Sequence, residues 1–414
     1  MLFRSMDIAD DDERLAIPPV EHETHMWHIP GDAPVSRSKR SRGNGPYEST
    51  IPAHLADITL RLPPTLAADA EEAAYALAGF DSYAAFRLGE GSHVLGPMSA
   101  VLLRTEATSS SQIEHLTVGA RNLALETLHE GVSDNAAVVV GNVKAMESAL
   151  KLGSEMTEAN ILAMHRALLM NQRGWEQQAG RYRDRLVWVG TDGYSPRGAS
   201  HIAPQAELVP EAMKDLLAFI GRDDIPVMAQ CAVAHAQFET IHPFADGNGR
   251  CGRALVHAVL RNKRMALHTT PPISAGLLRR TTAYFDALTA YRAGDARPIV
   301  EQFAEAARYA ASSGRELVDV LVEQLDVARE SLHGIRRDAA VWKVLPHLIA
   351  QPIINTRYLQ DAVGLSKSQA ERAVGVLAER GVLTQRSGRQ RSVVWEHRGI
   401  LDVLDDYAVG LRRG

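Results

Sequence analysis

At 414 residues the chain is long enough for two or three domains with buried cores. Its 45% hydrophobic and 23% charged content is that of an ordinary globular protein, and a net charge of -5 excludes a chain-wide attraction to nucleic acid. Its two cysteines, Cys231 and Cys251, exclude a disulfide framework and form no zinc-site spacing, which fits a reducing cytoplasm. The N-terminal MLFRSMDIADDDER lacks the apolar stretch of a signal peptide, and no apolar run approaches the ~20 residues that span a bilayer. A soluble cytoplasmic chain with no membrane partner is expected.

Residues 1–48 are polar and rich in Pro, Ser, Arg and Gly, too poor in apolar surface to offset the entropy of ordering. They are expected to form an arm, disordered or laid over the body, whose basic SRSKRSR run is a solvated face. From Ala53 to about Ala311 the pattern is helical. Early in that stretch TSSSQIEHL sets Ser110 and Glu114 four apart, on one helical face. RLVWVG, Arg185 to Gly190, has strand character, and with the turn-rich TDGYSPRGAS after it predicts a lone hairpin serving as a flap. VMAQCAVAHAQFETI predicts a helix with Val227, Cys231, Ala234, Phe238 and Ile241 on one apolar stripe.

Beyond Ser313 an amphipathic helix carrying Leu317, Val320, Leu321, Leu325 and Ala328 leads into a different unit. There the pattern reads helix, helix, turn, helix, then a two-stranded hairpin with Ser-Gly at its tip, a winged helix-turn-helix. The expected fold is mainly α, with a short β-hairpin flap and a C-terminal winged helix. The expected divisions are an arm at 1–48, a helical region at 49–135, a core at 136–312, a linker helix at 313–337 and the winged helix at 338–414.

The chemistry concentrates in HPFADGNGRCGR, His242 to Arg253. Gly247 and Gly249 remove side chains where the chain turns and a bulky group approaches the backbone. A helix starting there points its first N–H groups and positive dipole end at that turn, an anion site. Arg250 and Arg253, three apart, offer forked donors to phosphate oxygens on one face. Asp246 beside an anion site suggests a bridging magnesium ion. His242, at the end of the preceding helix, is suited to accept a proton near neutral pH. Together these residues describe nucleotidyl or phosphoryl transfer.

HPFADGNGRCGR also resembles the Fic-domain signature, His-x-Phe-x-Asp/Glu-Gly-Asn-Gly-Arg-x-x-Arg, at every specified position, and the likeness extends over most of residues 55–310. Fic enzymes move AMP from ATP to a Ser, Thr or Tyr hydroxyl of a target protein and release pyrophosphate. The resemblance implies His242 as general base, Asp246 as magnesium ligand, and Gly247, Asn248 and Gly249 around the alpha phosphate. It implies Arg250 on the outer phosphates, Arg253 on the gamma phosphate and Phe244 as a packing anchor. GRYRDRLVWVG with the following SHIAPQAELVPEAM resembles the family's flap, which lines the nucleotide site and pairs with the target segment by main-chain hydrogen bonds. Gly198, Ala199, Ser200 and His201 are then the nucleotide-facing flap residues, and Tyr284 of AYFDALTAYRAGD a further nucleotide contact. Arg292 stands where some relatives have Asn against the base, which leaves UTP or another nucleotide open beside ATP.

TSSSQIEHL resembles the family's N-terminal inhibitory motif, Ser/Thr-x-x-x-Glu-Gly/Asn, with His115 at its last position. Ser110 and Glu114 are then inhibitory residues, Glu114 pairing with Arg253 in place of the gamma phosphate. The same glutamate has a second use in some relatives, orienting water to remove AMP from a modified protein. In the C-terminal unit, Lys367, Arg372, Arg380, Arg386, Arg389, Arg391 and Arg398 outnumber Glu371, Glu379 and Glu396, a local charge of about +4. That charge makes DNA contact through the winged helix one expectation and a protein-interaction or dimerisation role the other. The reading is therefore an autoinhibited protein adenylyltransferase using Mg-ATP on a target protein or itself, as a homodimer. Its alternatives are a de-AMPylating Fic enzyme and a DNA-binding regulator with a low-turnover Fic sensor core.

Overall fold

The computed structural model describes residues 14–88, 93–131, 133–152, 155–170, 172–387 and 393–411. The start of the acidic N-terminus, the Gly388 of the hairpin tip, and Arg389 and Arg391 lie outside the described residues. The elements run β1 (Glu21–Trp27), α1 (Arg37–Gly43), β2 (Gly45–Ile51), α2 (Pro64–Leu88), α3 (Leu95–Ile113), α4 (Ala120–Thr127), α5 (Asp134–Leu152) and α6 (Glu158–Leu169). There follow β3 (Trp188–Val189), β4 (His201–Ile202), α7 (Val209–Ile220), α8 (Val227–Ile241), α9 (Asn248–Asn262), α10 (Ile273–Arg279), α11 (Thr281–Arg292) and α12 (Arg297–Ser331). The C-terminal unit holds α13 (Val341–Val344), α14 (His347–Ala350), β5 (Ile353–Ile354), α15 (Thr356–Asp361), α16 (Lys367–Glu379), β6 (Thr384–Ser387), β7 (Val393–Glu396) and α17 (Arg398–Gly410). The fold is mainly helical, and the flap is the antiparallel β3–β4 pair, Trp188 opposite Ile202. In the C-terminal unit the expected two-stranded hairpin, β6 and β7, gains a third strand, β5, in a sheet of order β5-β7-β6, with α15 and α16 between β5 and β6 along the chain.

α8 is central rather than amphipathic: every residue from Met228 to Ile241 is buried. A helix buried all round needs partners for its polar side chains. Gln230 donates to the carbonyls of Phe219, Ile220 and Arg222, closing the end of α7. Gln237 donates to Ala53 O and accepts from the Tyr291 hydroxyl, and His235 Nε2 meets the Tyr284 hydroxyl at 2.7 Å.

α12 is one helix from Arg297 to Ser331, so the expected division at 312/313 falls inside it. Its buried stripe never breaks: Ile299, Phe303, Ala307, Ala310, Gly314, Leu317, Leu321, Leu325 and Ala328 recur at helical spacing. The first half packs in the core around α8, while the second half, with α2 and α3, completes the core of the C-terminal unit.

The arm is laid over the body and carries structure that its composition did not suggest. β1 and β2 pair antiparallel along seven residues each, from Glu21 opposite Ile51 to Trp27 opposite Gly45. The ordering comes from tertiary bonds: Trp27 Nε1 donates to Tyr194 O, Ser195 Oγ to Gly43 O, and Arg197 to the carbonyls of Arg42 and Asn44. Among the described residues no helix is long and apolar enough to cross a membrane.

The connection from α9 to α10 is held by a buried carboxylate on α2: Asp81 accepts from the amides of Leu267, His268 and Thr269 and from the Thr269 hydroxyl. Asp81→Ala leaves these donors without an acceptor and should lower stability by about 2–4 kcal/mol. Equilibrium urea denaturation checks this.

Candidate active site

A cleft of about 720 Å³ opens between the flap, the ends of α3 and α8, the start of α9, and α11. α8 ends at His242 in the left-handed region, φ 50° and ψ 60°, a conformation that costs a residue with a Cβ and is usually left to glycine. Arg183 holds this bend. Its guanidinium donates to the carbonyls of His242, Ile241, Pro204 and Arg185, and its own amide donates to Pro243 O. The arginine thereby ties the base of the flap to the turn. Its signal was present in GRYR, but nothing in the spacing showed which carbonyls it would reach.

The turn after His242 is closed from within. Asn248 Oδ1 accepts from Phe244 N and its Nδ2 donates to Phe244 O, both at 2.8 Å. The side chain of Asn248 is thus spent on the loop, leaving its backbone N–H for an anion. Phe244 is fully buried and stacks on His165, ring centroids 3.7 Å apart. Gly180 N donates to His165 Nδ1, so His165 Nε2 carries the proton and donates to Asp246 O at 3.1 Å. Burial holds His165 down at about 4, keeping it neutral in this role.

α9 begins at the turn, with Gly247 before it at φ 78°, where a Cβ would come 2.6 Å from Leu168. The first N–H groups of the helix have no intrahelical acceptor, and its positive dipole end faces the cleft. Arg250 and Arg253 add two guanidinium groups, each side chain only 3% exposed. Their counter-charge is Glu114, at the C-terminal end of α3. Glu114 Oε1 stands 2.7 Å from Arg253 Nη2, and Oε2 3.0 Å from Arg250 Nε. The expected pair with Arg253 is therefore a bridge across both arginines. Ser110 completes it: Arg253 Nε donates to its hydroxyl and Nη2 to its carbonyl, both at 2.8 Å. Gly249 makes room, since a Cβ there would lie 2.5 Å from Glu114 Oε1. His115, at the motif's last position, adopts the left-handed turn itself at φ 62°.

Asp246 Oδ2 accepts from Gln172 at 3.0 Å and meets Arg250 Nη2 at 3.3 Å, with the side chain 32% exposed to the cleft. Tyr284 lines the cleft but is buried, its hydroxyl engaged with His235. Of the flap residues named from sequence, Ser200 and His201 reach the cleft. His201 is buried, its Nε2 against Thr240 O at 2.9 Å and its ring edge-on to His242 at 6.2 Å. Gly198 and Ala199 line a separate groove with Tyr47 and Glu48 of the arm, while Val187, Trp188 and Val189 face the cleft instead. Both strands of the flap thus reach the cleft, while the connection between them is bonded to the arm. Arg292 borders both spaces, and its Nε has no hydrogen-bond partner among the described residues.

His242 Nδ1 lies 3.3 Å from Glu239 O. A carbonyl only accepts, so Nδ1 carries the proton and Nε2 keeps the lone pair. Burial lowers His242 to about 4, with help from the Arg183 and Arg292 charges and against its bond to Glu239 O. The histidine is neutral at pH 7, as a base must be, but a weaker base than the sequence suggested. One residue escaped the sequence reading altogether. Glu239, a turn before His242, puts a buried carboxylate into the cleft floor, and only its charge on an otherwise buried helix signalled it.

This arrangement has counterparts among known proteins. A family model described as the Fic/DOC family matches residues 155–260. Protein adenylyltransferase fic-1 of Caenorhabditis elegans is 31% identical over 154 residues, 36% of this chain and 27% of that protein. Protein adenylyltransferase Fic of Nematostella vectensis is 29% identical over 162 residues, 38% of this chain and 34% of that protein. The chain thus spans about a third of the length of the curated relatives it matches. Among solved structures, a Fic family protein from Desulfovibrio desulfuricans G20 is 24% identical with a TM-score of 0.51, over 82% of this chain and 97% of that one, a likeness of fold. Residues 155–260, the stretch that holds the flap, α8 and most of α9, are thus similar to the Fic/DOC family.

Proposed function

We propose that the protein is a protein adenylyltransferase, moving AMP from ATP to a Ser, Thr or Tyr hydroxyl of a target protein or of itself, and that Glu114 restrains it. The observation that carries this reading is the Glu114 bridge: a carboxylate sits on two arginines and a helix N-terminus that suit a polyphosphate. The relatives named as protein adenylyltransferases support the reaction class.

In the reaction, the target hydroxyl oxygen attacks the alpha phosphorus, the bond to the beta-phosphate oxygen breaks, and pyrophosphate leaves. His242 Nε2 takes the hydroxyl proton. The N–H groups at the start of α9 hold the alpha phosphate, while Arg250 and Arg253 hold the outer phosphates. Asp246 fits a magnesium ligand. Its carboxylate is open to the cleft, and a magnesium ion bound to phosphates and water asks for only one or two carboxylates. Among the described residues no cluster of three or more His, Cys, Asp or Glu groups could hold a metal by itself. When bound, the ion offsets charge on the phosphates. With Glu114 in place, Arg253 is lost to the gamma phosphate and a negative charge stands where that phosphate would lie.

Glu114→Gly should raise AMP incorporation roughly 5–150-fold, the usual span of a coupling of this kind, while His242→Ala abolishes it. Intact mass after incubation with Mg-ATP checks both, and equal incorporation by wild type and Glu114→Gly sinks the restraint. A second reading draws on the 29% exposure of the Glu114 side chain, which lets water reach it inside the cleft. In that case Glu114 directs water onto an AMP-modified protein, and Glu114→Gly slows AMP removal.

For the C-terminal unit, protein interaction fits better than DNA contact. Arg386 and Arg398 are drawn to the buried Glu396, together with Arg121 of α4, and Lys367 lies beside Glu371. No retarded band is expected in a gel shift at low salt, where phosphate contacts are strongest. A shifted band that fades as salt rises would restore the DNA role.

A further inference from the structure

Glu239 lies one turn before His242 on α8, with its side chain 9% exposed. Its Oε2 is 3.8 Å from His242 Nδ1, and Oε1 is buried without a hydrogen bond from any described residue. A buried carboxylate with an unused acceptor is costly, and packing alone would be served by an apolar side chain. The neighbouring helix is shaped around it, since a Cβ at Gly252 would come 2.7 Å from Oε1. The other polar side chains of α8, Gln230, His235, Gln237 and Thr240, each make at least one hydrogen bond into the fold.

We propose that Glu239 is the positioning residue of His242: its backbone carbonyl takes the Nδ1–H, and its carboxylate, 3.8 Å away, supplies the negative charge that stabilises the imidazolium formed during transfer. This rests on the reading of His242 as general base. The target hydroxyl proton goes to Nε2, the proton on Nδ1 stays between the imidazole and Glu239, and the carboxylate takes up none. It is the division of labour in which a base is oriented by a third, acidic group.

The surroundings of Glu239 make that charge conditional on pH. Burial raises its proton affinity, Arg253 of α9 opposes this, Glu114 at the end of α3 reinforces it, and Arg292 of α11 opposes it, leaving the carboxyl at about 7. Tyr284 of α11 also faces it, while on the imidazole side His242 feels Arg183 and Asp246 and has His201 of β4 against its ring. Below about pH 7 Glu239 is neutral and lends His242 nothing. Above it, the charge stands beside the imidazole before the proton arrives.

Two measurements test the proposal, both in the Glu114→Gly background. Side-chain NMR of His242, assigned by difference with His242→Ala, should show a chemical-shift inflection near pH 7 that vanishes in Glu239→Gln. The rate of AMP incorporation should rise with pH through the same range. In Glu239→Gln it should be flat between about pH 6 and 8 and lower by roughly tenfold to a hundredfold in kcat, with KM for ATP little changed. Glu239→Asp should recover part of the rate and the limb. An unchanged thermal midpoint in Glu239→Gln excludes a merely structural loss. A His242 titration identical in wild type and Glu239→Gln overturns the proposal whatever the rates. If the inflection is lost as expected but no variant incorporates AMP, the transferase reading beneath it falls, and the catalytic role falls with it.

Discussion

Two guanidinium groups buried at the positive end of a helix cannot be left without a counter-charge. Arg250 and Arg253 stand at the start of α9, almost fully removed from water, and the helix dipole adds to their field. An uncompensated buried charge costs several kcal/mol, so an anion belongs there in every stable state of the protein. Glu114 is that anion, sharing Arg250 with Asp246. The placement is unfavourable for Glu114 taken alone, since it ends α3, where a carboxylate opposes the helix dipole. Only the two arginines make the position worthwhile. A feature that would look like a poor choice on an isolated helix thus becomes the way two buried arginines are neutralised.

The same constraint explains the glycines. Gly247 takes a left-handed turn against Leu168, and Gly249 lets the Glu114 carboxylate come close to the backbone of α9. Either a phosphate or this carboxylate needs the same uncovered backbone. Asn248 shows how tightly the loop is drawn, because both polar atoms of its side chain are used on Phe244. A residue type that the sequence pattern associates with phosphate thus contributes a side chain to the loop and a backbone group to the site.

The signature was legible in the sequence because it is local: a base, an acid, a turn and two cations within a dozen positions state their own geometry. Ser110 and Glu114 were legible as a helical pair, but that Glu114 would bridge both arginines depends on where α3 ends relative to α9, which no spacing encodes. The arm escaped for a different reason. Composition measures how much apolar surface a segment can bury alone, whereas β1 and β2 are ordered by hydrogen bonds to Tyr194, Ser195 and Arg197 in the flap connection. Gly198 and Ala199 lie in the same connection and line the groove against the arm. α8 was given one apolar face because the 3.6-residue period shows where apolar residues recur; Gln230 is buried against the end of α7, and His235 and Gln237 find partners far away in sequence.

The position of Glu114 follows from what holds α3. Its middle is fastened to the core by Glu106, which meets His257 and accepts from Ser274, and by Asn142, which donates to Ala107 O. Arg104 ties the same helix to Ala350 and Gln351 of the C-terminal unit. Its early turns, Met98 to Leu102, sit in the second core with α12 and α16. Moving the helix as a body would break contacts in both cores at once, a far larger cost than the bridge it would release. The last turn is different. Glu114 is the first residue past the helix, and His115 after it is held in a left-handed conformation that L-residues with a side chain tolerate poorly. The Glu114 bridge is therefore made beyond the bonds that fasten the middle of α3, at its strained last turn.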